Sequence, residues 1–316
     1  MTPDISAVLN ESHLIWSAAA PLKDFCHWRI GGPADYLVEP RSAEETALAR
    51  RIARDAGLPC LVIGHGSNML FDDAGYRGMI IRLGGRFARA RFDGRRVYAE
   101  AGTWTPALAR ACAGRGLSGL EHAVGIPGNF GGLVFMNGGS MRQNIGDVVT
   151  YVDYLDENNE QRRLPASECE FSYRHSIFQH KDWIVTGAAL ELKQSDAETI
   201  RRAMLGVMQE RRGKFPLELP NCGSVFSNDE ALYAKFGPPG MVIEKAGLKG
   251  TRSGGVKVSE RHANFIVNTG GATSHDVFEL IRVVRREILE RTGFTLKCEV
   301  RYAAPDGRCD RIDLFL

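Results

Sequence analysis

Residues 60–70 read "CLVIGHGSNML", and the fold turns on the glycine-rich residues after the first four. A short apolar run with no polar lead-in reads as a buried strand. The small residues after it read as a turn whose backbone lies close to something. That turn lacks the G-x-G-x-x-G of a Rossmann unit and the G-x-x-x-x-G-K-[ST] of a P-loop. The next stretch, "FDDAGYRGMIIRL" (71–83), has the pattern of turn and strand, not of the helix both motifs require. Yet Gly64, Gly66, Ser67 and Asn68 offer successive N–H groups and two short polar side chains, a nest suited to an anionic diphosphate. A tight turn that binds nothing would explain the same residues.

A second stretch, "GIPGNFGGLVFMNGG" (125–139), holds six glycines in fifteen residues, interrupted by apolar residues and by Asn129 and Asn137. Such spacing lets main chain lie flat against a large planar or anionic ligand. Two glycine turns about 60 residues apart suggest one long ligand gripped at two places. Glycine is in excess overall, 35 of 316 where about 22 would be average at ~7%. The excess sits after strands and marks close backbone approach, not a linker.

The length of 316 residues predicts two or three subdomains. Hydrophobic residues at 44% and charged residues at 25% describe an ordinary soluble globular chain. Forty basic against 38 acidic residues leave a net charge of +2, which argues against nucleic-acid and membrane-surface partners. No apolar stretch approaches the ~18 residues of a membrane span, and "MTPDISAVLNESHLIW" lacks the plan of a signal peptide. Seven scattered cysteines, with no CxxC and no Cys/His ligand spacing, predict reduced thiols, no metal and a cytoplasmic location.

Outward from the glycine turns, "SAEETALARRIARDAGLP" predicts a helix capped by Ser42 and ended by Gly57 and Pro59. "RARFDGRRVYAEAG" predicts a hairpin with a type I′ turn at Asp93-Gly94. Thr105-Pro106 reads as the N-cap and first residue of a short helix. "VVTYVDYLDENNEQRRL" predicts a second hairpin with its turn at 156–160, and residues 183–192 a strand. A basic amphipathic helix is expected over 198–212. Another takes Ser274 as its cap, lines up Val277, Leu280, Ile281, Val284 and Ile288, and stops at Gly293. Hairpins with isolated helices argue α+β rather than a repeating βαβ sheet, with boundaries near 60 and 196–200.

Taken in order, "RIGGPADYLVEP", "GHGSNML", "GLSGLEHAVGIPGNFGG", "YRHSIF", "CGSVF", "GMVIEKAGLKGTRSGG", "VSERHANFIVN" and "CEVR" cover about residues 26–302. This series resembles the UDP-N-acetylenolpyruvoylglucosamine reductases, the MurB family of flavoenzymes, in their short-loop branch. The resemblance implies an α+β fold: a vanillyl-alcohol-oxidase/PCMH-type FAD-binding module of two α+β subdomains, plus a C-terminal α+β substrate-binding domain. The expected spans are 1–62 (to which the tail 305–316 could return), 63–197 and 198–304.

The same resemblance implies FAD and NADPH as cofactors and a UDP-sugar bearing an enolpyruvyl ether as substrate. Gly64, His65, Gly66, Ser67, Asn68 and Met69 would cradle the FAD diphosphate. Arg29, Gly31, Gly125, Ile126, Pro127, Gly128, Gly131 and Gly132 would be further flavin neighbours. Arg174 would face the substrate carboxylate with its planar fork of donors. Ser224 would protonate C2. Glu299 would donate a hydrogen bond or anchor the polar network. Tyr173, Arg211, Lys214 and Asn228, with Arg212 as an alternative to Arg211, would meet the substrate.

Read without the resemblance, Arg174 is a surface arginine, Glu299 a strand residue paired with Arg301, and residues 211–214 a solvated helix face. Ser224 sits in no G-x-S-x-G elbow, and neighbouring Cys222 is not expected to be a nucleophile. This chain also departs from the family pattern. His65 stands where a third glycine is usual, so its ring must point away from the diphosphate or touch the flavin. "MNGGSMRQNIGD" and "FSND" replace the more usual "MNAGAYG…IGD" and "FKNP", which leaves room for a paralogue acting on a related nucleotide sugar. An FAD-dependent oxidase of the same fold is the other rival.

Overall fold

The structure, a computed structural model, describes residues 4–316. Its contacts gather into two units. The first holds the described residues up to Ser17, with Tyr36–His65 and Met79–Arg211; the second holds Ala18–Asp35, Gly66–Gly78 and Arg212–Leu316. Residues 18–35 thus group with the second unit and residues 36–62 with the first. Long-range bonds within the second unit account for this. The Trp28 indole N–H donates to the Ile266 carbonyl at 2.7 Å, and Asn268 Nδ2 returns a bond to the Trp28 carbonyl at 2.8 Å.

The first unit is built on a five-stranded antiparallel sheet in the order Gln161–Pro165, Val149–Leu155, Ile184–Glu191, Arg96–Glu100, Ala90–Asp93. The central strand Ile184–Glu191 is β-branched and small in composition and is buried along nearly its whole length. Both expected hairpins form. In the first, Asp93 pairs with Arg96, so the turn residues are Gly94 and Arg95, and Gly94 alone has a left-handed φ, 56°. That is the type II′ pattern, one residue along from the expected turn.

A second core in this unit lies under the helix Ala43–Asp55, whose Ala47, Ala49, Ile52 and Ala53 pack with Met79 and Ile81. Ser42 caps it, accepting from the Glu45 N–H at 3.2 Å. The strand Cys60–Ile63 pairs in parallel with residues 79–82. Only Ile63 of it is buried, so the expectation of a fully buried strand holds for one residue in four.

The second unit contains two three-stranded sheets. One joins Met69–Phe71 in parallel to Arg301–Ala303, which pairs in turn with Cys309–Arg311. The tail therefore returns onto Arg301–Ala303. The other is Arg252–Ser253, Val256–Val258, Ile266–Asn268. The helix Ser274–Thr292 buries all five predicted apolar residues and ends at Gly293 in the left-handed region, φ 74°. Its cap is Thr273, not Ser274. The Ser274 hydroxyl is drawn instead to Asp73 Oδ2, at 2.7 Å. Sheets of hairpins with separate helices make the fold α+β, as expected.

Candidate functional site

In the first unit the two glycine turns meet. A Cβ added to Gly64 would stand 3.3 Å from Asn129 Cβ. Residues 101–105 run antiparallel to 128–131: Gly131 N–H donates to the Ala101 carbonyl at 2.8 Å, Phe130 to Thr103 at 2.8 Å, and Thr105 to Gly128 at 3.0 Å. Gly131 is required by that approach, since its Cβ would lie 2.7 Å from Ala101 Cβ. The His65 ring rests on Trp104, centroids 4.6 Å apart. Burial, then the charge of Arg82, hold its pKa below the ordinary histidine value.

Trp104 is flanked by two hydroxyls that the sequence reading missed. The helix Thr105–Ala113 is capped at Trp104, so Thr105 is not the cap it was expected to be. Thr103 and Thr105 are 7% and 2% exposed, and neither Oγ1 has a hydrogen-bond partner among the described residues. Buried hydroxyls are rarely left unsatisfied. Two of them beside glycine main chain, with open space where a Gly132 Cβ would point, fit a ligand as rich in acceptors as FAD. Gly125 lies under Arg211, whose Cδ would be 2.3 Å from an added Cβ. Burial lowers the Arg211 pKa. Arg211 thus sits on the second glycine segment in one unit, while Arg212, Lys214 and Asn228 are exposed residues of the other.

Arg174 occupies a tight turn in the first unit. Ser172 and His175 exchange backbone bonds at 3.1 and 3.2 Å, and Arg174 between them has a φ of 53°. The buried Asn137 donates to the Ser172 carbonyl at 2.7 Å. Arg174 Nη2 donates to the Gly139 carbonyl at 3.0 Å. Gln179 Nε2 holds the carbonyls of Arg174 and Phe135, each at 3.0 Å. The end of the second glycine segment therefore fixes the arginine turn. Tyr173, at its tip, is 52% exposed.

The second unit joins the remaining motifs. Gly66 has a φ of 65° and would place a Cβ 1.9 Å from the Phe25 carbonyl oxygen, so the chain's own packing demands glycine there. Arg29 is exposed with a φ of 56°, and Gly31 has a φ of 138°. Asn68 Nδ2 donates to the Glu299 carbonyl at 3.0 Å, and the Arg301 N–H to the Asn68 carbonyl at 3.1 Å.

Glu299 N–H donates to the Val225 carbonyl at 2.8 Å, one residue past Ser224. Asn264, also missed as a functional residue although it lies in a quoted motif, clamps the loop with three bonds of 2.9 Å to Val225 and Phe226. Gly223, φ 79°, turns the chain into Ser224. The half-buried Ser224 hydroxyl has no hydrogen-bond partner among the described residues. Hydrogen bonds thus join Asn68 to Glu299 and Glu299 to Val225, the residue after Ser224.

Two domain profiles match the chain: an FAD binding domain over residues 34–164, and the C-terminal domain of UDP-N-acetylenolpyruvoylglucosamine reductase over 215–303. Together with the glycine cradle they define a flavin-dependent oxidoreductase. UDP-N-acetylenolpyruvoylglucosamine reductase 1 of Corynebacterium glutamicum is 43% identical over 302 residues, 96% of this chain and 90% of the relative. The corresponding reductase of Heliobacterium modesticaldum is 42% identical over 292 residues, 92% of each. The crystal structure of the Thermus caldophilus reductase matches with a TM-score of 0.76 at 33% identity, covering 92% of this chain and 98% of that one. The chain belongs to the UDP-N-acetylenolpyruvoylglucosamine reductase family.

Proposed function

We propose that this chain reduces the enolpyruvyl ether of UDP-N-acetylglucosamine enolpyruvate to UDP-N-acetylmuramate, a peptidoglycan precursor, in the cytoplasm with NADPH as reductant. FAD, when bound, supplies the hydride relay between NADPH and substrate. The residues that would hold it are Gly64, His65, Gly66, Ser67, Asn68 and Met69, the stretch Gly125, Ile126, Pro127, Gly128, Gly131 and Gly132, Arg29 and Gly31, and the hydroxyls of Thr103 and Thr105.

Reduction of the double bond sends electron density onto the substrate carboxylate and leaves C2 in need of a proton. Arg174 meets the carboxylate with fixed parallel donors, which stabilise charge where it develops. Ser224 gives the proton. A serine hydroxyl is a weak acid in water, and its advantage here is position. Glu299 anchors the serine loop, and Tyr173, Arg211, Lys214 and Asn228 bind the nucleotide sugar. The observation that carries the assignment is the Glu299–Val225 backbone bond, which makes one element of the serine and glutamate motifs.

The test separates the half-reactions. In Ser224→Ala, NADPH reduces the flavin at the parent rate, while reoxidation by the enolpyruvyl substrate slows by about 10²–10⁴-fold. Equal slowing of both halves removes Ser224 from the proton-donor role. Rapid oxygen-dependent turnover of simple alcohols in place of NADPH consumption assigns the oxidase instead.

A further inference from the structure

All seven cysteines are free, and two of them converge. Cys26 and Cys222, both in the second unit, are each 5% exposed. Each thiol donates to the same acceptor, the Met69 carbonyl oxygen, at 3.1 Å. Sharing one acceptor brings the two sulfurs together.

After Cys26 the chain turns back, the Arg29 N–H donating to the Cys26 carbonyl at 2.9 Å, with Arg29 held in the left-handed region. Burial raises both thiols. At Cys26 the neighbouring Cys222 and the main chain that follows outweigh it, and the pKa is lowered. At Cys222 burial prevails, and the pKa stands well above the ordinary value. Cys60, Cys112 and Cys169 are pushed up to about 12, and Cys298 and Cys309 are raised as well. Cys26 is thus the one cysteine whose pKa is lowered, and the thiol that shares its acceptor, Cys222, has the pKa that favours keeping its proton.

We propose that Cys26 and Cys222 are a redox pair, which a peroxide closes to a disulfide that holds the Ser224 loop out of its working position. In the first step the Cys26 sulfur attacks the peroxide. An S–O bond forms, the O–O bond breaks, and the leaving hydroxide takes up the proton that the Cys26 thiol gave up, becoming water. In the second, the Cys222 sulfur attacks the sulfenic acid. The S–S bond forms, the S–O bond breaks, and a second water leaves with the Cys222 proton. Two thiols and one hydrogen peroxide become one disulfide and two waters, with two electrons passing from sulfur to oxygen.

A disulfide draws the sulfurs to ~2.05 Å, closer than two unbonded thiols can approach, and takes both donors from the Met69 carbonyl. Cys222 is followed directly by Gly223 and Ser224, so its movement displaces the serine. The effect on turnover rests on the proposed role of Ser224; the disulfide itself does not.

The experiment treats reduced holoenzyme with hydrogen peroxide, alkylates the remaining thiols in denaturant and maps the peptides by mass. The expected product joins the Cys26 and Cys222 peptides, lighter by two hydrogens, with the other five cysteines alkylated. The substrate half-reaction slows by about 10²-fold, flavin reduction by NADPH is unchanged, and dithiothreitol restores the rate. Cys222→Ser accumulates a dimedone-trappable sulfenic acid at Cys26, and Cys26→Ser forms no disulfide. Full alkylation of both thiols after peroxide, or a link between other cysteines, overturns the pair. A complete disulfide with unchanged turnover overturns its coupling to Ser224. A fully reduced protein that consumes no NADPH with the enolpyruvyl substrate overturns the proposed function and leaves the pair standing.

Discussion

At Arg174 the backbone takes a conformation that side-chained residues rarely adopt, with φ at 53°. Such a residue costs about 1–3 kcal/mol and persists only where its surroundings hold it. Here the Ser172–His175 turn, Asn137 and Gln179 do so. Under the proposed function that strain secures the aim of a planar fork, which lysine cannot reproduce. In Arg174→Lys the substrate half-reaction is expected to fall by about 10²-fold, with flavin reduction by NADPH unaffected, as stopped-flow traces of the two halves will show. The glycines of the site were legible because an absent side chain marks a close approach, and Gly131 beside Ala101 bears that out. Thr103 and Thr105 were not legible. Their distinction is that their hydroxyls lack protein partners among the described residues, which no spacing encodes.

Among elements, the helix Ser274–Thr292 shows what periodicity can and cannot tell. Its apolar face was readable because burial repeats at the helical period. Its cap was misread by one residue because the Ser274 hydroxyl is claimed by Asp73, far off in sequence. The first hairpin was read in the same way, correct in its strands and one residue off in its turn. Thr273 accepts from the Asp276 N–H at 3.1 Å while Asp276 Oδ2 accepts from the Thr273 N–H at 3.0 Å, a closed capping box. Thr273→Ala is therefore expected to destabilise the protein by ~1 kcal/mol. A lower urea midpoint at unchanged slope will register it.

For the molecule as a whole, acid is the weak side. His65, His122 and His262 all have pKa values lowered chiefly by burial, His262 to about 4. Both ring nitrogens of His122 are buried without a partner among the described residues. Unfolded histidines take up protons near pH ~6.5, whereas these three in the native state do so only at lower pH. Their contribution is intact above that pH and is lost as the pH falls toward the native values. Between pH 7 and 5 the melting temperature of His122→Leu should fall less than that of the parent; parallel profiles would dismiss His122 as a source of acid sensitivity.

The interleaving of the two units was not legible at all. Nothing in Ala18–Asp35 or Gly66–Gly78 announces that its partners lie beyond residue 211. That arrangement bears on how the protein is made. The indole of Trp28 finds its acceptor only at Ile266, so during translation the tryptophan leaves the ribosome long before the carbonyl it is to meet. Nascent chains released early would carry this large apolar ring exposed, a handle for chaperones and proteases that the finished protein withdraws.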